Sequence, residues 1–266
     1  MELRQCALDC LVIQSPIEKV EAVSALHQQY SDHQLGLETQ AIVALNVRIP
    51  GIPHKPELVS PREVKHRALN TDQGRAALIH ALAHIEFNAI NLGLDAIWRF
   101  ANMPEQYYAD WLKVAAEEAY HFSLLNTHLN KMGYEYGAFN AHASLWEMAE
   151  KTKDDVLARM ALVPRTMEAR GLDASPALRN KLAQIGDEEA ASILDIILRD
   201  EIGHVAIGNR WFNYLCEQRQ LEPISTYANL AKQYQAPTPR KPFNLPARLA
   251  AGFTEAELDW LENPFG

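Results

Sequence analysis

The chain is predicted to be all-α, and three features of its sequence predict it. From about residue 72 to 217 apolar side chains recur at steps of three and four with few breakers, which is the signature of buried helical faces. No stretch of any length alternates apolar and polar residues, so no strand is expected. Prolines gather outside this region, at 50, 53, 56 and 61 before it and at 237, 239, 242 and 246 after it.

Taken in order, residues 1–70 are mixed. A helix is expected over 16–30, with Ser15 as its cap and Pro16 in its first turn. The prolines that follow forbid continuous helix, and this segment is expected to pack across the main body. The body, 71–220, holds four long helices. The first runs from Asp72 to Asn102, with Leu78, Leu82, Ile85, Ala89, Leu92 and Ala96 on one face. Pro104 opens the second, which ends at Gly133. Residues 134–152 connect, with a short helical turn at LWEMAEK. Asp154 caps a third helix ending at Gly171, and Ser175-Pro176 opens a further helical run, punctuated at Gly186-Asp187, that reaches about Arg219. Four such helices predict an antiparallel four-helix bundle. Residues 221–266 read as an irregular tail closed by a short helix at TEAELDWLE, whose Thr254 and Glu257 form a capping box.

Composition narrows the class of function. A net charge of −9 over 266 residues argues against nucleic-acid binding, which rests on Lys and Arg neutralising phosphate. No run of 18 apolar residues occurs, so no membrane span is expected. Cys6, Cys10 and Cys216 have neither zinc nor CxxC spacing and read as reduced thiols. No signal peptide opens the sequence, and the expected location is cytoplasmic.

Polar residues interrupt the apolar faces in a repeated order. Trp111, Val114, Leu125 and Leu129 share a stripe with Glu118 and His121, and Ile197, Gly208, Trp211 and Leu215 share one with Glu201 and His204. Glu-x-x-His alone is weak: 22 Glu and 10 His among 266 residues give about one match by chance. A third match, Glu63 with His66, lies in the proline-rich stretch without an apolar face and is read as that chance event. The other two each follow a solitary inward glutamate, Glu86 at 32 residues before Glu118 and Glu168 at 33 before Glu201. Each long helix thus carries one glutamate near its middle, at one level of an antiparallel bundle.

Side chains three apart share a helix face, so each Glu-x-x-His offers an oxygen and a nitrogen to one metal ion. Glu86 and Glu168 are left to bridge or chelate, and four carboxylates balance two divalent ions. This is the ligand set of dinuclear carboxylate bundles. Oxygen and imidazole donors accept iron or manganese, so two iron ions, two manganese ions or a mixed pair all fit. Nearby, His80 and His84 are expected in structural or supporting roles, Glu117 on a solvated face, and Asp200 as a candidate acceptor that orients a ligating imidazole. Phe87, Phe122, Trp98 and Trp211 are candidates to line a cavity.

The segments HALAHIEFNAINLGLDAIWRF, DWLKVAAEEAYHF, LARMALVPRTMEARGLD, ILRDEIGHVAIGNRWF and NLPARLAAGF resemble a bacterial ferritin-like family catalogued as domain of unknown function 455. More distantly, the pattern is similar to the di-iron hydroxylase that modifies transfer RNA. The resemblance covers most of the chain and implies a ferritin-like bundle with a dinuclear site at Glu86, Glu118, His121, Glu168, Glu201 and His204. The expected function is that of a non-haem di-iron oxidase or hydroxylase. It would take O2 or peroxide, a small organic substrate and an electron donor, with a homodimer as the candidate assembly. Iron storage or detoxification and a di-manganese catalase are the alternatives. In this reading the tail covers the site and meets an anionic substrate through Arg240, Lys241 and Arg248.

Overall fold

The computed structural model describes residues 1–44, 47–65 and 67–263, so His66 of the stray match lies outside the described residues. Its partner in that match, Glu63, is exposed and accepts a hydrogen bond from the backbone of Ser60 at 3.0 Å. The fold is all-helical. Among the described residues the only extended pairings are two isolated bridges, Glu2 with Gly36 and Leu58 with Ala141. The chain divides into two compact units, Met1–Trp146 and Glu147–Gly266.

The first unit is built on two long helices, α3 (Asp72–Arg99) and α4 (Glu105–Lys131). Thr71 caps α3 by accepting from Gly74 N, and Pro104 precedes α4. The short connection between them makes the pair an antiparallel hairpin. Gly93 lets the two backbones approach: a Cβ there would sit 3.0 Å from Ala115 Cβ and 3.2 Å from Ala115 N. Two earlier helices lie on this pair, α1 (Leu3–Leu11) against α3 and α2 (Pro16–Ser31) against α4. α2 is capped by Ser15 with Pro16 in its first turn. α1 is not expected from the sequence; Glu2, an uncommon cap, accepts from Arg4 N and Gln5 N to start it. A short α5 (Ser144–Lys151) covers the LWEMAEK stretch.

The second unit departs from the expected helices in four places. Its first helix is capped by Asp155, whose side chain accepts from Leu157 N, and not by Asp154. The run expected over 154–171 is broken into α6 (Val156–Leu162) and a π turn (Val163–Glu168). Pro164 supplies the reason. It has no N–H to donate four residues back, so the ladder widens and Ala169 N reaches Pro164 O, five residues away. Next, Pro176 opens no helix; it sits inside α7 (Ala169–Gln184). The carbonyl it leaves without a helical donor, that of Leu172, accepts instead from Asn244 Nδ2 at 3.1 Å. That substitute donor is why the proline is tolerated mid-helix.

α8 (Glu188–Gln218) follows, capped by Asp187. Finally, the tail is more helical than expected. Glu222 and Pro223 start α9 (Pro223–Gln233), Asn244 caps α10 (Leu245–Ala250), and Thr254 with Glu257 forms the expected capping box of α11 (Glu255–Glu262). Ala169, Leu172, Val205, Ala247, Ala251, Phe253 and Leu258 join α7, α8 and the tail in one buried cluster.

Candidate metal centre

The close approach of Gly93 and Ala115 sets the level of the first half-site. About two turns back along α3 and two turns on along α4 bring Glu86 opposite His121. His121 Nδ1 lies 3.4 Å from Glu86 Oε2 and 3.4 Å from Glu118 Oε2. Glu118 and His121 are 0% exposed and Glu86 is 3% exposed, so this charge is in the interior and requires a counter-charge. Glu86, Glu118 and His121 each offer one ligand atom within 4.8 Å of the other two.

The separations are those of a long imidazole–carboxylate hydrogen bond and are also compatible with a metal ion as that counter-charge. A charge-assisted N–H···O contact is about 2.7–2.9 Å, shorter than what is found. Neighbouring ligand atoms around an ion with bonds of about 2.0–2.2 Å stand roughly 3.0–3.4 Å apart. Glu86 Oε2, although near His121, makes no aligned hydrogen bond. The cluster therefore fits a metal ion. Without one, burial and the neighbouring Glu118 push the Glu86 carboxyl well above the usual range. Burial works against a charge on His121, but Glu118 and Glu86 outweigh it and raise its basicity strongly. Both shifts say that the buried carboxylates leave an excess of negative charge, which protons or a cation would offset.

In the second unit, Glu201 and His204 share the inner face of α8, with His204 Nδ1 3.8 Å from Glu201 Oε2. Glu168 ends the π turn. His204 is 0% exposed and Glu168 and Glu201 are 8% exposed, so all six sequence-derived candidates are interior residues. Gly208 lies against Pro164, and one turn from each along antiparallel helices puts Glu168 at the level of His204.

The neighbours sort more sharply. His84 accepts from Tyr136 OH at Nδ1 (2.7 Å) and donates from Nε2 to His142 O (3.1 Å); His80 Nε2 accepts from Gly137 N at 2.9 Å. Both rings also stack on Tyr136, and burial lowers each to about 4, so they are neutral struts holding the 136–142 loop. Glu117 pairs with Lys113 on the outer face of α4 at 3.7 Å. Asp200 takes Arg199 at 2.8 Å.

Of the proposed cavity residues, Phe87 and Phe122 pack together (centroids 5.7 Å apart) and both meet Tyr136. Trp98 is 12 residues from Glu86, about 18 Å along the helix, and donates to Val43 O at 3.1 Å; it is packing. Trp211, 4% exposed, packs edge-on against Tyr214 at 5.4 Å. Arg248 is not a free anion receptor either. It is 2% exposed and gives Asp173 a two-pronged bond, Nε to Oδ1 at 3.0 Å and Nη2 to Oδ2 at 2.7 Å. Arg240 and Lys241 are exposed.

An all-helical protein with a buried Glu/His cluster able to hold a metal ion is the class these observations define. The profile of a family described as "Protein of unknown function (DUF455)" matches residues 12–259, and the chain belongs to that family. It is 48% identical over 256 residues to an "Uncharacterized protein" of Haemophilus influenzae (strain ATCC 51907 / DSM 11121 / KW20 / Rd), a match covering 93% of this chain and 89% of that one. No solved structure matches the chain. No helix among the described residues is long and apolar enough to cross a membrane.

Proposed function

We propose that the two half-sites make one dinuclear centre in a ferritin-like four-helix arrangement, and that the protein is a non-haem di-iron oxidoreductase acting on a small organic substrate. The observation that carries this reading is the convergence of Glu86, Glu118 and His121 Nδ1 at metal-ligand separations inside a helix pair. The repetition of the same order in Glu168, Glu201 and His204 supports a second, equivalent set.

Each residue has a definable task. Glu118 with His121, and Glu201 with His204, present an oxygen and a nitrogen from one helix face each. Glu86 and Glu168 bring the carboxylates that bridge or complete each set, and the four negative charges offset two divalent cations. When bound, a ferrous pair would supply the electrons that reduce O2, with the external donor restoring them, and the substrate would give up electrons to the activated oxygen. The long helices fix the ligands in place before any substrate arrives, and Phe87 and Phe122, next in sequence to Glu86 and His121, pack with Tyr136 and stiffen both helices there.

The test is anaerobic reconstitution of the whole protein with Fe(II) or Mn(II), followed by elemental analysis and oxygen or peroxide consumption. Two equivalents of iron and O2 uptake stimulated by reductant are expected. Peroxide disproportionation by the manganese form alone would select a catalase, and release of many irons per chain would select storage. Failure to bind either metal would sink the reading.

A further inference from the structure

The tail does not supply Arg248 to a substrate, yet it reaches the candidate centre by another route. A π turn is rare and needs support from outside the helix that contains it. Here one extra residue sits in the turn, and each residue is worth about 100° of rotation around the helix axis. The direction of Glu168, at the end of the turn, therefore depends on the turn keeping its register. Part of the support is local: Thr166 Oγ1 donates to Ala161 O at 2.9 Å, tying the turn to the end of α6. Pro164 against Gly208 is a second hold.

The rest comes from the tail. Tyr227 of α9 hydrogen-bonds Thr166 through its hydroxyl at 2.9 Å. Glu257 of α11 accepts from Arg165 Nη2 at 2.6 Å. Arg165 is 4% exposed, and its Nε and Nη1 are buried without a hydrogen-bond partner, so among the described residues Glu257 alone answers its charge by hydrogen bond. The guanidinium is otherwise enclosed by rings, lying 4.3 Å from the Phe212 centroid, 5.0 Å from Phe253 and 5.6 Å from Tyr227. Burial disfavours an ionised Glu257, but Arg165 and the Thr254 hydrogen bonds together more than offset it and hold the carboxyl below its usual range. The same carboxylate closes the α11 capping box through Thr254 N at 2.8 Å. One acid thus joins the cap of the last helix to the π turn.

We propose that Arg165–Glu257 and Thr166–Tyr227 form a latch through which the C-terminal helices hold the π turn in the register that turns Glu168 inward, making Arg165 and Tyr227 positioning residues. The assignment of Glu168 as a ligand rests on the function proposed above; the latch itself does not.

Glu257→Gln keeps the capping oxygen and removes the charge, and Tyr227→Phe removes one hydroxyl. Asn244→Ala, which removes the α10 cap and the bond to Leu172 O but no bond made to residues 163–169, is the structural control. In the metal-free protein, hydrogen exchange at residues 165–169 is expected to accelerate at least tenfold in the first two variants and to stay unchanged in the control. Titration with Co(II) should show one of two equivalents bound at least tenfold more weakly in those variants, with an altered visible spectrum, and Arg165→Lys should recover part of the protection that Arg165→Met loses. Wild-type exchange at 165–169 in both Glu257→Gln and Tyr227→Phe would overturn the latch. If the wild type binds no metal while exchange responds as expected, the metal reading fails and the latch stands.

Discussion

Gly208 of α8 and Pro164 of the π turn touch so closely that a Cβ on residue 208 would stand 2.4 Å from Pro164 Cβ and 2.5 Å from its Cγ. Real Cβ atoms do not approach that near, so glycine is required for this helix pair to have this spacing. The contact sits one turn from Glu168 on one side and one turn from His204 on the other. Gly93 and Ala115 play the same part in the first unit, two turns from Glu86 and His121. In each unit a small residue brings the paired helices together beside the candidate ligands.

Gly208→Ala should therefore destabilise by about 1–3 kcal/mol, the usual cost of overpacking. Gly171→Ala is the contrast, because nothing lies within 4 Å of a Cβ there and α7 gains a better helix former. Its expected effect is a gain of roughly 0.5–1 kcal/mol. Urea midpoints at unchanged m-value measure both. Equal effects from the two substitutions would mean that the close contact is not a constraint.

Arg248 and Asp173 should behave as one structural unit. Either Arg248→Ala or Asp173→Ala leaves a buried charge without its partner, a loss of about 3–5 kcal/mol. The double variant should cost much less than the sum, and the double-mutant cycle measures the difference. A sequence reading that sends Arg248 to a substrate expects the opposite, namely a stable variant with impaired binding.

What was legible followed the physics that each feature obeys. Glu118 and His121 were readable because a helix of period 3.6 puts i and i+3 on one face, and two polar residues in an apolar stripe stand out. The Ser15 and Thr254 caps were readable for the same reason: their geometry is local. Pro176 was misread because the bond that excuses it comes from Asn244, distant in sequence. Pro164 was the visible sign of the π turn, but the partners that hold the turn, Tyr227 and Glu257, are more than 60 residues away. Arg165 carried no signal at all, since a lone arginine in a helix reads as solvent-facing by default.

A buried lysine gives a pH dependence independent of any metal. Lys19 of α2 is 0% exposed, donates to Leu11 O at 3.0 Å and to Asn91 Oδ1, and lies 5.2 Å from the Phe87 ring centroid. Burial lowers it to about 7 against an ordinary 10.5, and the Cys10 thiol beside it is itself pushed up to about 12 by burial. Between these two lysine values the unfolded chain binds the proton and the native protein does not. Stability should therefore rise from about pH 7 to 10.5, by at most about 1.4 kcal/mol per pH unit from this group. Lys19→Met should flatten that rise in denaturation curves; an unchanged slope would show that the lysine keeps its proton in the fold.

Glu118 separates a structural acid from a ligand. It is 0% exposed beside Glu86 and His121, so a group of similar volume without charge removes a desolvation cost from the metal-free protein. Glu118→Met should leave that form equally helical and up to about 1–4 kcal/mol more stable, the range seen when buried charges give way to apolar groups. The same variant should lose at least one of the two expected equivalents of metal. Glu117→Met, one residue away on the outer face with Lys113, should change stability by no more than about 0.5 kcal/mol and leave metal binding intact. Thermal melts with and without Fe(II) read both quantities at once: metal should raise the melting temperature of the wild type and of the Glu117 variant, but raise that of the Glu118 variant far less. A Glu118→Met protein that metal stabilises as fully as the wild type would remove Glu118 from the ligand set.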